Sequence, residues 1–262
     1  MENVIGFPGL GLVFNINRVA FTVFGKEIYW YALCILTGFL GGMGFVSATS
    51  KKRGVSPDDI FDIAFWGLIF GIISARIYYC IFDWESIGSF WNIFKIWEGG
   101  IAIYGALIGA IASAYVYCRI KKLNTLKVFD VTVPGLLIGQ IIGRWGNFFN
   151  AEVYGRETDS LLRMTINGNP GVHPLFLYEG LWNLAGLILI LLFRDRKKSH
   201  GQVFFFYIFW YSLGRLFLEG MRQTEYILYL IPDVLGISQL VAFIGIILGI
   251  GGMIYLGRKR TA

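Results

Sequence analysis

The chain of 262 residues is short of charge. Only 15% of it is Asp, Glu, Lys or Arg, where soluble domains carry about 25%. Proline (six), cysteine (three) and histidine (two) are also scarce. So little charge excludes a disordered chain, a basic nucleic-acid-binding domain and an ordinary cytosolic enzyme. Cys34, Cys80 and Cys118 lie inside or at the ends of apolar runs, with no metal or disulfide spacing, and read as packing residues. Met1 to Asn17 lacks a basic leader and a small-residue cleavage site, so it does not read as a cleaved signal peptide.

What is present in excess is apolar surface. The chain is 56% hydrophobic and 17% aromatic, with a mean hydropathy of +0.61. A spanning helix needs roughly 20 mostly apolar residues. Seven such segments can be placed, at Ile28–Ala48, Ile60–Phe82, Ile101–Cys118, Val128–Phe149, Pro174–Phe193, Val203–Glu219 and Val234–Leu256. The expected fold is an all-α integral membrane protein with about seven transmembrane helices. It forms a single polytopic domain over 1–262, with outward-facing connections at about 83–100 and 150–173. Ala20–Ile28 alternates polar and apolar residues around Phe24-Gly25-Lys26 and predicts a short hairpin on the membrane surface.

The formal charge of +6 belongs to the loops. Fourteen of the 23 basic residues fall in Lys51–Arg53, in Arg119 with Lys121, Lys122 and Lys127, in Arg194 with Arg196, Lys197 and Lys198, and in Arg258–Arg260. By the positive-inside rule these connections are cytoplasmic, which puts the C-terminus inside and the N-terminus outside a bacterial cytoplasmic membrane. His173 and His200 then fall on opposite sides, so neither a metal nor a cofactor is expected.

Arg18, Lys26, Lys95, Arg156, Arg163 and Arg222 fall on the outer side. Some ionisable residues sit at or near membrane depth, where each costs about 2.5–3.5 kcal/mol and marks a functional site by default. They include Arg76, Arg144, Arg215, Glu152, Glu179 and Glu219. The densest run is Gly143-Arg144-Trp145-Gly146-Asn147-Phe148-Phe149-Asn150-Ala151-Glu152-Val153-Tyr154-Gly155-Arg156, across the outer end of the fourth span. Arg144 and Asn147, three apart, share a helical face. Asn150 and Glu152 follow where the helix should end. A cation, two amides and a carboxylate at headgroup level suit a phosphate-bearing lipid. On the sixth span Arg215, Glu219 and Arg222 are spaced four and three apart and line one stripe, with Glu219 between two phosphate-matching arginine forks. His173-Pro174 opens the fifth span, and the histidine reads as a helix cap as readily as a catalytic group.

These motifs resemble those of bacterial prolipoprotein diacylglyceryl transferases. The Gly143–Gly155 run, the Arg215–Arg222 stripe, the His173–Glu179 segment and the Trp30-Tyr31 pair all match, in order, over essentially the whole chain. The resemblance implies an enzyme that transfers diacylglycerol from phosphatidylglycerol to the lipobox cysteine of a preprolipoprotein, giving a thioether and glycerol phosphate. Its partners would be phosphatidylglycerol, the lipobox segment and the bilayer, with no nucleic acid. It further implies catalytic roles for Arg144, Glu152, Arg215 and Arg222, and substrate contacts from Arg144, Asn147, Asn150, Gly155, Tyr31 and Glu219. The family's histidine before the Gly-Gly pair of the third span is replaced by Tyr104, followed by Gly105-Ala106. Tyrosine, with a pKa near 10, is a poor base at neutral pH, so Tyr104 is expected to orient a substrate group. Proton removal would fall to Glu152, or to no single side chain if the arginines lower the thiol pKa enough.

Two rival classes fit less well. An anion transporter calls for charges in both membrane halves and broken helices in paired repeats. Other lipid enzymes call for the aspartate pattern of alcohol phosphatidyltransferases or the Gly-x-Ser-Gly of intramembrane serine proteases. Neither set of features is visible.

Overall fold

A computed structural model of the chain describes residues 2–223, 229–231 and 235–258. It opens with strands β1 (Glu2–Phe7), β2 (Leu12–Asn17), β3 (Val19–Val23) and β4 (Lys26–Tyr29), and β4 runs directly into helix α1 (Trp30–Ser50). Helices α2 (Pro57–Phe82), α3 (Trp84–Ile87), α4 (Ile103–Ile120) and α5 (Thr125–Asn150) follow. After strand β5 (Thr165–Ile166) come α6 (Leu175–Phe193), α7 (Gln202–Glu219), the short strands β6 (Tyr229–Ile231) and β7 (Leu235–Gly236), and α8 (Ile237–Arg258).

All seven expected spans are helices, with described ends within three residues of those read from the sequence. Val234, the expected start of the last span, lies outside the described residues, as do Lys259 and Arg260 of the basic tail. The second span begins at Pro57 rather than Ile60. Ser56 Oγ accepts from the Asp58 N–H at 3.2 Å, proline takes the first helical position, and Asp58 and Asp59 face the positive helix end. Six helices among the described residues are long and apolar enough to cross a membrane. The seventh, α7, holds Arg215 and Glu219 within 18 residues, and this polar stripe lowers its hydropathy.

The chain divides into two compact units, with the division falling inside α1 and α5: residues 1–45 with 132–262, and residues 46–131. In the first unit, β1 pairs antiparallel with β2 from Glu2↔Asn17 to Phe7↔Leu12 and with β5 at Ile5↔Ile166, giving the order β2-β1-β5. This sheet was not anticipated from the sequence. Its inward side chains Ile5, Phe7 and Ile16 join Phe148, Met164, Val172 and Phe176 in one buried cluster, in which Phe148 and Phe176 lie 4.9 Å apart. Strands β3 and β4 form the expected hairpin, turning at Phe24-Gly25.

Small residues set the helix packing, as they must where lipid is no less apolar than a neighbouring helix. A Cβ on Gly42 of α1 would lie 2.5 Å from the Gly135 carbonyl oxygen of α5. Gly249 and Gly252 of α8 pack equally close to Phe209 and Phe205 of α7. Between α6 and α7, Trp182 and Trp210 stack at 4.4 Å, and each indole N–H donates to the other residue's carbonyl at 2.9 Å. Gly214 and Gly186 leave the room these rings fill.

In the second unit α2 packs on α4 through Gly105 and Gly109, against the backbone of Ser74 and Phe70. The Tyr117 hydroxyl lies 2.9 Å from Asp59 Oδ1 and 2.7 Å from Asp62 Oδ2. Arg76, 7% exposed, folds the 83–100 connection around itself. Its Nε donates to Ile93 O (2.8 Å), Nη1 to Gly99 O (2.7 Å) and Gly100 O (2.8 Å), and Nη2 to Asn92 O (2.5 Å). Gly100 has φ +70°, and a Cβ there would strike Arg76 Nη1 at 2.5 Å. The cysteines are free thiols, Cys80 and Cys118 buried and Cys34 half-buried.

Candidate functional site

The first unit brings five ionisable residues, from three helices and the turn after α7, into one alternating chain. Arg144, in the last turns of α5, forms an ion pair with Glu179 of α6. Glu179 Oε1 lies 3.6 Å from Arg215 Nη1 on α7. Arg215 Nη2 reaches Glu219 Oε2 at 2.8 Å, one turn on, and the same oxygen lies 3.6 Å from Arg222 Nη1. Only Arg215 and Glu219 share a stripe of α7, which ends at Glu219. Arg222 lies beyond the helix, in the turn that bridges to Gly155, and reaches Glu219 from there. Glu219 is 2% exposed and Glu179 10%, while the three arginines retain 18–24%. Two buried carboxylates thus face three guanidiniums that still reach the surface of the site. The surplus is one positive charge, and Arg222 Nε is buried with no hydrogen-bond partner among the described residues. A small, open cleft lies against this chain, lined by Arg144, Glu179, Trp182, Asn183, Tyr211, Gly214, Arg215 and Leu218.

Backbone pairing holds the far end of the alternating chain. Gly155 bridges to Arg222 and donates its N–H to His173 O at 2.9 Å. Arg156 donates its backbone N–H to Met221 O at 2.8 Å and its Nε to Arg222 O at 3.0 Å. A Cβ on Gly155 would lie 2.6 Å from His173 Cβ and 2.7 Å from Met221 O, so only glycine admits this crossing of three segments. His173 serves the backbone: its carbonyl also accepts from Leu175 N at 2.9 Å at the start of α6, and its Nδ1 lies 3.5 Å from the Tyr178 hydroxyl.

The signature run continues α5 to Asn150 and then ends it, with Ala151 and Val153 both at positive φ. Asn147 holds Glu152 twice, through Nδ2 to Oε1 at 3.2 Å and through its carbonyl to the Glu152 N–H at 3.0 Å. The carboxylate that meets Arg144 is Glu179, whereas Glu152 is exposed on the turn beyond the helix. Tyr31 lies against Gly146, whose missing side chain makes room for its ring, and Trp30 stacks on Phe149 at 5.3 Å. Asn150 is half-buried at the helix end. Tyr104 belongs to the second unit, half-buried in the first turn of α4. Sequence reasoning marked Glu179 as a charge at membrane depth without assigning it to the site. It left out Trp182 of the cleft and gave no role to Tyr211, which opens the arginine-bearing run on the sixth span. The available signal was a glutamate and a tryptophan three apart on one face of a helix with no other charged residue.

Fold and site together define a multi-pass all-α membrane protein that holds a net-cationic arginine–glutamate chain among its helices. A family model described as prolipoprotein diacylglyceryl transferase matches residues 18–255, and the chain belongs to that family. A phosphatidylglycerol--prolipoprotein diacylglyceryl transferase of Lysinibacillus sphaericus is 42% identical over 261 residues, covering 93% of each chain. Relatives of the same name from Clostridioides difficile and Listeria monocytogenes serotype 4b are 40% and 38% identical. They cover 93% and 94% of this chain, and 97% and 92% of their own.

Proposed function

We propose that Arg144, Arg215 and Arg222 hold the phosphate of phosphatidylglycerol while its diacylglyceryl group passes to the lipobox cysteine of a preprolipoprotein, the first step of lipoprotein maturation. The observation that carries the site assignment is the unbalanced chain Arg144–Glu179–Arg215–Glu219–Arg222. Phosphatidylglycerol brings one negative charge, which completes the balance. Substitution at the glyceryl carbon forms a C–S bond and breaks the C–O bond to phosphate. The leaving glycerol phosphate gathers a second charge, so the guanidiniums bind the transition state more tightly than the ground state. Arginine suits this task because its planar fork matches phosphate oxygens.

The nucleophile is the thiolate, which a thiol of pKa about 8.5 supplies sparingly at neutral pH. Glu152, held by Asn147, or the cationic field itself takes up that requirement. Tyr31, Asn147, Asn150 and Gly155 line or frame the headgroup side, and Tyr104 orients a substrate group. The protein lies in a bacterial cytoplasmic membrane with its N-terminus outside and C-terminus inside, so that this site faces the exported lipobox. Purified protein given labelled phosphatidylglycerol and a lipobox peptide is expected to yield thioether-linked peptide and free glycerol phosphate. Label transfer by ester linkage, or none at all, overturns the reading.

A further inference from the structure

We propose that the β3–β4 hairpin is a membrane-inserting wedge, with Phe24 at its tip seated at the headgroup–acyl boundary of an anionic bilayer. The hairpin is anomalous as a water-exposed element. Val23 pairs with Lys26, which leaves the two-residue turn Phe24-Gly25, with φ +49° and +77°. A turn with both φ positive favours Asn-Gly, and a bulky aromatic in the first place is strained. Phe24 nevertheless occupies it, fully exposed at 101%, so no contact among the described residues repays the strain. Phe21 and Val23 are exposed as well. An isolated two-stranded hairpin is marginal in water even with favourable turn residues.

Lipid supplies what water does not. Strand β4 passes without a linker into α1, whose first residues Trp30 and Tyr31 and whose later Ile35, Leu36, Phe39 and Leu40 are exposed along a membrane-spanning helix. The hairpin therefore leaves the membrane at the level where aromatic side chains are preferred, and its surface continues the lipid-facing surface of that helix. Its charges agree. Arg18 precedes β3 and Lys26 follows the turn, both suited to anionic headgroups. The nearby carboxylate of Glu27 is engaged by the Tyr29 hydroxyl at 2.7 Å, a bond that raises the tyrosine pKa. None of this depends on how the transfer reaction is catalysed.

The test uses full-length protein carrying Phe24→p-benzoylphenylalanine in vesicles of phosphatidylcholine with phosphatidylglycerol, irradiated in the presence of a lipobox peptide. The expected product is a protein–phospholipid adduct read by mass. A peptide adduct, a self-crosslink or no adduct overturns the proposal. Arg18→Gln with Lys26→Gln is expected to cut the lipid yield at least threefold in the anionic vesicles and to leave it unchanged in pure phosphatidylcholine. With the probe moved to Val23, the Phe24→Asn background keeps the turn and is expected to lose most of the lipid adduct. Retention of that adduct overturns the wedge. Because the readout is crosslinking, a protein with no transfer activity still decides it.

Discussion

Arg76 and Arg215 are both drawn out of water within apolar helices, yet they satisfy their guanidinium groups in opposite ways. Arg76 hands four N–H bonds to backbone carbonyls of residues 92, 93, 99 and 100. An arginine has five N–H donors and no acceptor, so this one is nearly saturated by neutral dipoles from a single loop. Arg215 is bracketed instead by Glu179 and Glu219, inside a chain that carries one surplus positive charge and opens on a cleft. The first arrangement makes a loop, and the second leaves an electrostatic demand that an anion meets. Depth in the membrane alone does not tell them apart. The chemistry of the acceptors does.

That contrast breaks most cleanly on stability. Arg76→Ala removes four hydrogen bonds at about 1 kcal/mol each and leaves their carbonyls unpaired. A loss of about 4 kcal/mol is expected, with faster proteolysis between residues 83 and 100. An unchanged Tm would erase the distinction. Arg144→Ala and Arg215→Ala are expected instead to lower kcat/KM by about 100-fold. That is the worth of a charge-assisted contact of about 2–3 kcal/mol. Tm is expected to fall less for Arg144→Ala than for Arg215→Ala, which takes a partner from two buried carboxylates. Lysine is expected not to restore the rate.

Glu179→Gln sharpens the picture. Losing one carboxylate raises the surplus charge while freeing two forks, so kcat is expected to fall about tenfold as inhibition by glycerol phosphate tightens. Weaker inhibition would contradict the charge balance. Tyr104→Phe is expected to cost tenfold or less, the worth of one hydrogen bond. A collapse to background would move the centre of the chemistry to that hydroxyl. Lys197→Ala and Lys198→Ala, in the basic connection after α6, are expected to change stability by less than about 0.5 kcal/mol and leave the rate unaltered.

Much of this was legible in the sequence, for physical reasons. Spanning helices announce themselves because lipid demands about 20 apolar residues in a row. Arg215 and Glu219 announced their shared stripe because helical spacing is local. The stripe expected to continue to Arg222 stops at the helix end, and Arg222 meets Glu219 from the turn beyond. The hairpin at Phe24 was legible from alternation around a glycine. What stayed hidden was non-local. Pairing of β1 with β5 joins residues about 160 positions apart, and nothing near Ile5 or Thr165 encodes the partner. The choice of Glu179 rather than Glu152 as the partner of Arg144 depends on where α6 lies beside α5. The fate of Arg76 depended on backbone carbonyls, which every sequence has and none displays.

The indoles of Trp182 and Trp210 lie 4.4 Å apart with ring planes only 17° from parallel. Chromophores that close share their excited states. The pair should therefore give a split circular-dichroism band that no solitary tryptophan produces, together with quenched emission. Because each ring is seated over a glycine of the opposite helix, the signal exists only while α6 and α7 keep their register. The protein thus carries an unlabelled optical gauge one turn from Glu179 and five residues from Arg215, readable while lipid is titrated into the cleft.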